Sequence, residues 1–167
     1  MASRPKSRRD VPLVVLASRT GNTRTVAEAM VKPLAAELVA IEQLKDHQLR
    51  GRRLIGLGSG VYWLRMDRRI IDLVAKIPSG CQVFVFSTSG WRGKILERFF
   101  RSELETQLGR HGITVVGRWH CPGRDRQALF KWLNISRGRP NAEDIRRAGE
   151  FAASLKAAAK APPRRSE

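Results

Sequence analysis

Six consecutive residues, Ser18, Arg19, Thr20, Gly21, Asn22 and Thr23, carry the groups best suited to grip an anion. The hydroxyls of Ser18, Thr20 and Thr23 and the amide of Asn22 are donors, and Gly21 lets the backbone approach a ligand closely. The run follows an apolar stretch, residues 11–17, and opens a segment of helical spacing. A helix amino terminus has unsatisfied N–H groups and a partial positive charge, which suit a phosphate. The same residues could also do no more than cap a helix. Two further stretches combine glycines, hydroxyls and aromatics. One is 58–63, with Ser59, Gly60, Val61, Tyr62 and Trp63; the other is 87–93, with Ser87, Thr88, Ser89, Gly90, Trp91 and Gly93. An aromatic face stacks well on a flat ring, although such residues also serve as ordinary packing at a sheet edge.

The elements that must position these residues follow from hydrophobic periodicity. Residues 11–17 are almost continuously apolar, as in a strand buried on both faces. Val26, Met30, Leu34 and Leu38 lie four apart on one helical face, with Pro33 placed to kink it. A short strand is predicted over 38–44, a third over 53–58, and a helical face at Ile70, Leu73, Val74 and Ile77 that stops at Pro78. Residues 82–86 read as a strand, followed by the polar loop 87–93. Ile95, Leu96, Phe99, Phe100, Leu104 and Leu108 make a helix ended by Gly112, and 113–117 the last strand. Asn141 reads as an N-cap with Asp144 reaching back, ahead of Ile145, Ala148, Ala152 and Leu155. Alternation of strand and helix predicts a parallel sheet covered on both faces. Its right-handed crossovers gather the three polar loops at one edge, where ligands bind such sheets.

The domain is expected over 11–160, between a basic flexible tail over 1–10 and a disordered tail over 161–167. A long segment, 121–140, follows the last strand. No apolar stretch reaches the roughly 20 residues of a membrane span, and no secretory leader is read, so a cytoplasmic protein is expected. Thirty-two Lys and Arg against fifteen Asp and Glu give a formal charge of +17, a field that attracts nucleic acid, acidic lipid or acidic protein. Two cysteines, Cys81 and Cys121, make no disulfide scaffold. The adjacent pair His120–Cys121 would point to opposite faces of a strand, which makes a poor chelate, so no metal site is expected. Cys121 reads either as a redox-active thiol beside a ligand or as a small buried residue.

The loop 18–23 resembles the flavodoxin phosphate loop, Ser/Thr-x-Thr-Gly-Asn-Thr, at every fixed position. Loops 58–63 and 87–93 fall where flavodoxins place their second and third flavin loops. The resemblance implies a flavodoxin-like doubly wound five-stranded parallel sheet, order 2-1-3-4-5, with helices on both faces. It implies flavin mononucleotide (FMN) as cofactor: Ser18, Arg19, Thr20, Gly21, Asn22 and Thr23 around the phosphate; Ser59, Gly60, Val61, Tyr62 and Trp63 along one side of the ring; Ser87, Thr88, Ser89, Gly90, Trp91 and Gly93 along the other. Where many flavodoxins carry acidic residues near the ring, this chain has Arg65, Arg92 and Lys94. These positive charges would make the flavin's reduction less negative in potential.

Three functions are compatible with this reading. The first is an FMN-binding electron-transfer protein docking an acidic redox partner or reductase. The second is an FMN-dependent oxidoreductase with its own substrate, of the protoporphyrinogen oxidase or quinone reductase type. The third is a basic nucleic-acid-binding module on the same scaffold, against which the intact phosphate loop argues.

Overall fold

The chain is described by a computed structural model covering residues 11–63, 65–90, 94–122 and 139–160, without the side chains of 94–100 and 158–159. The two expected tails, Trp91, Arg92 and Gly93, and residues 123–138 of the long segment lie outside the described residues.

The first strand, β1 (Leu13–Ala17), is buried along its whole length, which is why its sequence shows no alternation. Helix α1 (Asn22–Leu34) buries Thr23, Val26, Ala27, Met30 and Leu34. It stops earlier than the spacing out to Leu38 predicts. Pro33 falls in its last turn, and Ala35 turns left-handed at φ 50°, with the N–H groups of Ala35 and Ala36 returning to the carbonyls of Lys32 and Val31. Leu38 therefore belongs to β2 (Glu37–Ala40), and the rest of the expected second strand is a 3-10 turn, Ile41–Gln43.

Strand β3 (Leu54–Tyr62) runs four residues beyond the expected strand end at Gly58. It turns through Trp63 into a two-residue antiparallel strand, β4 (Arg65–Met66), pairing Val61 with Met66 and Tyr62 with Arg65. Helix α2 (Arg68–Leu73) follows, capped by Asp67, and passes into a 3-10 turn, Val74–Lys76. Strand β5 (Gln82–Ser89) likewise extends past Phe86, so Ser87, Thr88 and Ser89 are strand residues and not the loop expected over 87–93. Helix α3 (Lys94–Arg110) leads through Gly112, at φ 64°, to β6 (Thr114–Pro122), which ends five residues beyond the expected strand end at Gly117. Helix α4 (Ala142–Ser154) begins with the predicted capping box between Asn141 and Asp144, and α5 (Lys156–Lys160) follows.

The parallel order is β2-β1-β3-β5-β6, the expected five-stranded arrangement, with β4 added beside β3. Val61 and Tyr62 extend β3 by pairing with β4, and the other strand extensions have one cause. A parallel ladder continues as long as both neighbours do, and here Gly60 pairs with Thr88 and Thr88 with Cys121.

Two cores sit on the two faces of the sheet. One packs Ile70 and Leu73 of α2 and Leu104 and Leu108 of α3 on Val15, Leu57 and Val85. The other packs Val26 and Met30 of α1 and Ala148 and Ala152 of α4 on Leu16, Phe84 and Phe86. Gly56 and Gly58 make room for the second core. A β-carbon at Gly58 would lie 2.1 Å from Cζ of Phe86, and one at Gly56 2.3 Å from Cζ of Phe84. These glycines let both phenylalanine rings lie flat on β3.

Candidate functional site

Loop 18–23 leaves β1 at the carboxyl edge of the sheet. Gly21 caps α1 at φ 88°, a left-handed conformation open to glycine. The helix has no side-chain cap bond at its start and no acidic residue in its first turn, so nothing acidic competes for its amino terminus. Ser18 Oγ is buried and has no hydrogen-bond partner among the described residues. An orphaned buried hydroxyl, an open glycine turn and an uncapped helix together fit an anionic group such as a phosphate. Thr23 is 1% exposed and spends one bond on β5: its Oγ1 lies 2.9 Å from Oγ1 of Thr88. This bond ties the first loop to the strand of the third.

The end of β3 and its hairpin form the second flank. Tyr62 leans back towards the first loop, its hydroxyl accepting the N–H of Arg19 at 3.0 Å. The Arg19 guanidinium lies 4.8 Å from the Tyr62 ring centroid, a cation–π contact. Gly60 accommodates the phenol, because a β-carbon there would stand 2.7 Å from the Tyr62 oxygen. Trp63, at the turn, is 79% exposed and has φ 50°, uncommon for a residue with a side chain. Val61 faces away and packs on the α2–α3 core. The hydroxyl of Ser59 donates to the Gly60 carbonyl at 2.6 Å and accepts the N–H of Asp67 at 2.8 Å.

Asp67 is the buried charge of this flank. Its carboxylate accepts Nε and Nη2 of Arg69, both at 2.9 Å, and the Arg69 N–H at 3.1 Å. Arg19 Nη2 stands 3.9 Å away. The hydrogen bonds from Arg69 hold the Asp67 carboxyl below the usual carboxylate range.

The third flank is the end of β5 against β6. His120 sits opposite Ser87, its Nδ1 2.9 Å from Ser87 Oγ and its Nε2 3.2 Å from Ser89 Oγ. A neutral imidazole has one N–H, so in that state one serine donates to the ring and the other accepts from it. Cys121 points to the opposite face and lies in the α1–α4 core. Burial pushes both thiols, Cys81 and Cys121, up to about 12.

The structure thus brings Ser18–Thr23, Tyr62, Trp63, Ser87, Thr88, Ser89 and Gly90 to one edge of the sheet. Asp67 and Arg69 were not among the residues singled out by sequence. Asp67 carried a usable signal, an aspartate three residues before the first apolar position of a helical face. Among the described residues no group of three or more His, Cys, Asp or Glu is placed to hold a metal ion. Among them no helix is long and apolar enough to cross a membrane.

The parallel order, the two helical layers and the three converging chain ends define a flavodoxin-like fold. An archaeal flavodoxin structure superposes with a TM-score of 0.64 at 19% identity, over 90% of this chain and 99% of that one. The Flv1 flavodiiron core of Synechocystis superposes with a TM-score of 0.68 at 16% identity, over 91% of this chain and 36% of that one. No family model matches the chain. The chain belongs to the same family as the uncharacterized protein MJ0298 of Methanocaldococcus jannaschii. The two are 30% identical over 136 residues, 80% of this chain and 89% of the relative.

Proposed function

We propose that the protein binds FMN across the three chain ends and passes electrons to and from an acidic partner protein. The observation that carries this reading is the anion-ready first loop. Ser18 Oγ is buried without a partner among the described residues, and α1 starts without a side-chain cap or an acidic residue, beside the ends of β3 and β5. The flavodoxin likeness of the fold supports FMN as the group that fits there. On this reading, Ser18, Thr20, Asn22 and Thr23 hold the phosphate with the α1 amides, while Tyr62, Trp63, Ser87, Thr88, Ser89, Gly90, Trp91 and Gly93 flank the ring. The bound flavin would supply the one- and two-electron chemistry. The protein would orient it and select the partner.

An open edge suits a carrier that works by contact. Trp63 is exposed, and so are Arg19, Arg24 and Arg65 along the same edge. Asp67, the acid beside Arg19, is buried and tied to Arg69. That surface favours an acidic partner, and association with it should slow as salt screens the exposed charges beyond about 8 Å.

The test is the purified protein's absorbance, followed by titration of the flavin-free protein with FMN. A two-banded flavin spectrum that releases the mononucleotide on denaturation is expected. A colourless protein that takes up no FMN would refute the reading. Tight, sequence-selective nucleic-acid binding in its place would favour the scaffold as a binding module.

A further inference from the structure

We propose that Arg19 and Asp67 form a strap that fixes Tyr62 and joins the first loop to the β3–β4 hairpin, so that the ring side of the site is held in place before a flavin binds. The proposal rests on the FMN reading above and goes beyond it, by making these two residues positioning residues for the ring side.

Asp67 reaches three elements at once. Its backbone N–H binds Ser59 Oγ of β3, its carboxylate caps α2 and pairs with Arg69, and it faces Arg19 of the first loop. Arg69 already satisfies the carboxylate with two side-chain bonds and one backbone bond. Arg19 is therefore not needed to neutralise Asp67. Its guanidinium is left with a weaker pull from the carboxylate at 3.9 Å, enough to aim it, and spends its face on the Tyr62 ring.

Tyr62 is held on three sides. Its hydroxyl takes the Arg19 N–H, its ring face takes the Arg19 guanidinium, and its edge rests where Gly60 has no side chain. Backbone and side chain of one residue thus grip the same phenol. Glu42 completes the chain from outside by pairing with Arg69. The charges along the strap alternate, with Arg19 at its open end and the buried acid between two guanidiniums.

The alternative is that Arg19, with a 63% exposed side chain, merely rests on the surface. The experiment separates the two. The full chain and its R19Q, R19K and D67N variants are stripped of flavin and titrated with FMN and with riboflavin, which lacks the phosphate. Visible circular dichroism of the bound flavin is recorded as a signature of ring surroundings. R19Q is expected to weaken FMN and riboflavin by similar factors of about threefold to tenfold, the scale of one cation–π contact plus a weak ion pair. It should also change the dichroism, with R19K recovering part of both. D67N should behave alike, and the double variant should be little worse than either single one.

Wild-type affinities and dichroism in R19Q would overturn the strap. A loss confined to FMN, with riboflavin unchanged, would also overturn it, since Arg19 would then act on the phosphate directly. R19Q alters an exposed side chain, so the test survives if the buried D67N variant fails to fold. A wild-type protein that binds neither flavin sinks the FMN reading and the strap together. Flavin binding by the wild type with an inert R19Q sinks the strap alone.

Discussion

Replacing Thr23 by valine would remove the bond between the first loop and β5 while keeping the side chain's shape. Thr23 and Thr88 are 1% and 4% exposed, and their hydroxyls are 2.9 Å apart. Valine at 23 leaves the Thr88 hydroxyl buried without its partner. An exposed hydrogen bond of this kind would matter little, but an orphaned buried hydroxyl costs about 1–3 kcal/mol. For a domain of this size each 1 kcal/mol shifts Tm by roughly 2–4 °C, so T23V should melt several degrees lower. Valine at both positions removes donor and acceptor together. The double variant should recover most of the lost stability, because no polar group is then left stranded. FMN affinity should not recover with it. If Thr88 donates to Thr23, the Thr23 proton is available to a phosphate, and both variants lack it. Thermal melts and FMN titrations on wild type, T23V, T88V and T23V/T88V check the argument. A double variant as unstable as T23V would refute the bond's role, and restored FMN affinity in it would remove Thr23 from the phosphate site.

Three further outcomes follow from the same geometry. G58A should destabilise the protein by at least about 1–3 kcal/mol in urea unfolding, since the new methyl meets the fully buried Phe86 ring at 2.1 Å. Cys81 and Cys121, pushed up to about 12 by burial, should resist a disulfide-exchange reagent at pH 8 in the native protein and react once urea unfolds it. The Asp67 carboxyl is held low by Arg69 in the folded state, so its contribution is complete above its unfolded value of about 3.9 and is lost as pH falls through the lower folded value. Stability of D67N, measured by urea unfolding from pH 5 down to pH 2, should accordingly fall less with acid than that of wild type.

Much of the fold was legible because it depends on local spacing. The unbroken apolar run of β1 marks a strand covered on both faces, and Ile70, Leu73 and Val74 mark a helix buried on one side. The Asn141–Asp144 capping box reads directly from residue types three apart, as does Gly112 at the end of α3. The first loop was legible for the same reason: its groups are consecutive, and a strand before and a helix after give them one geometry.

What the sequence could not decide is whatever depends on a distant neighbour. Ser59 and Gly60 look like loop residues, as do Ser87, Thr88 and Ser89, because serine, glycine and threonine are turn formers by local preference. They are strand residues because β3, β5 and β6 continue side by side, and each ladder satisfies the backbone of the next. Gly56 and Gly58 gain their meaning from two phenylalanines on another strand. Asp67 meets Arg19, and His120 meets Ser87 and Ser89, only through the parallel order of the sheet. The amino-acid sequence by itself determined the elements and the candidate anion loop, through periodicity and local backbone chemistry. The tertiary structure alone decided how far the strands run, which hydroxyls are already spent, and which buried carboxylate stands behind the site, because each of these is a pairing between residues far apart in the chain.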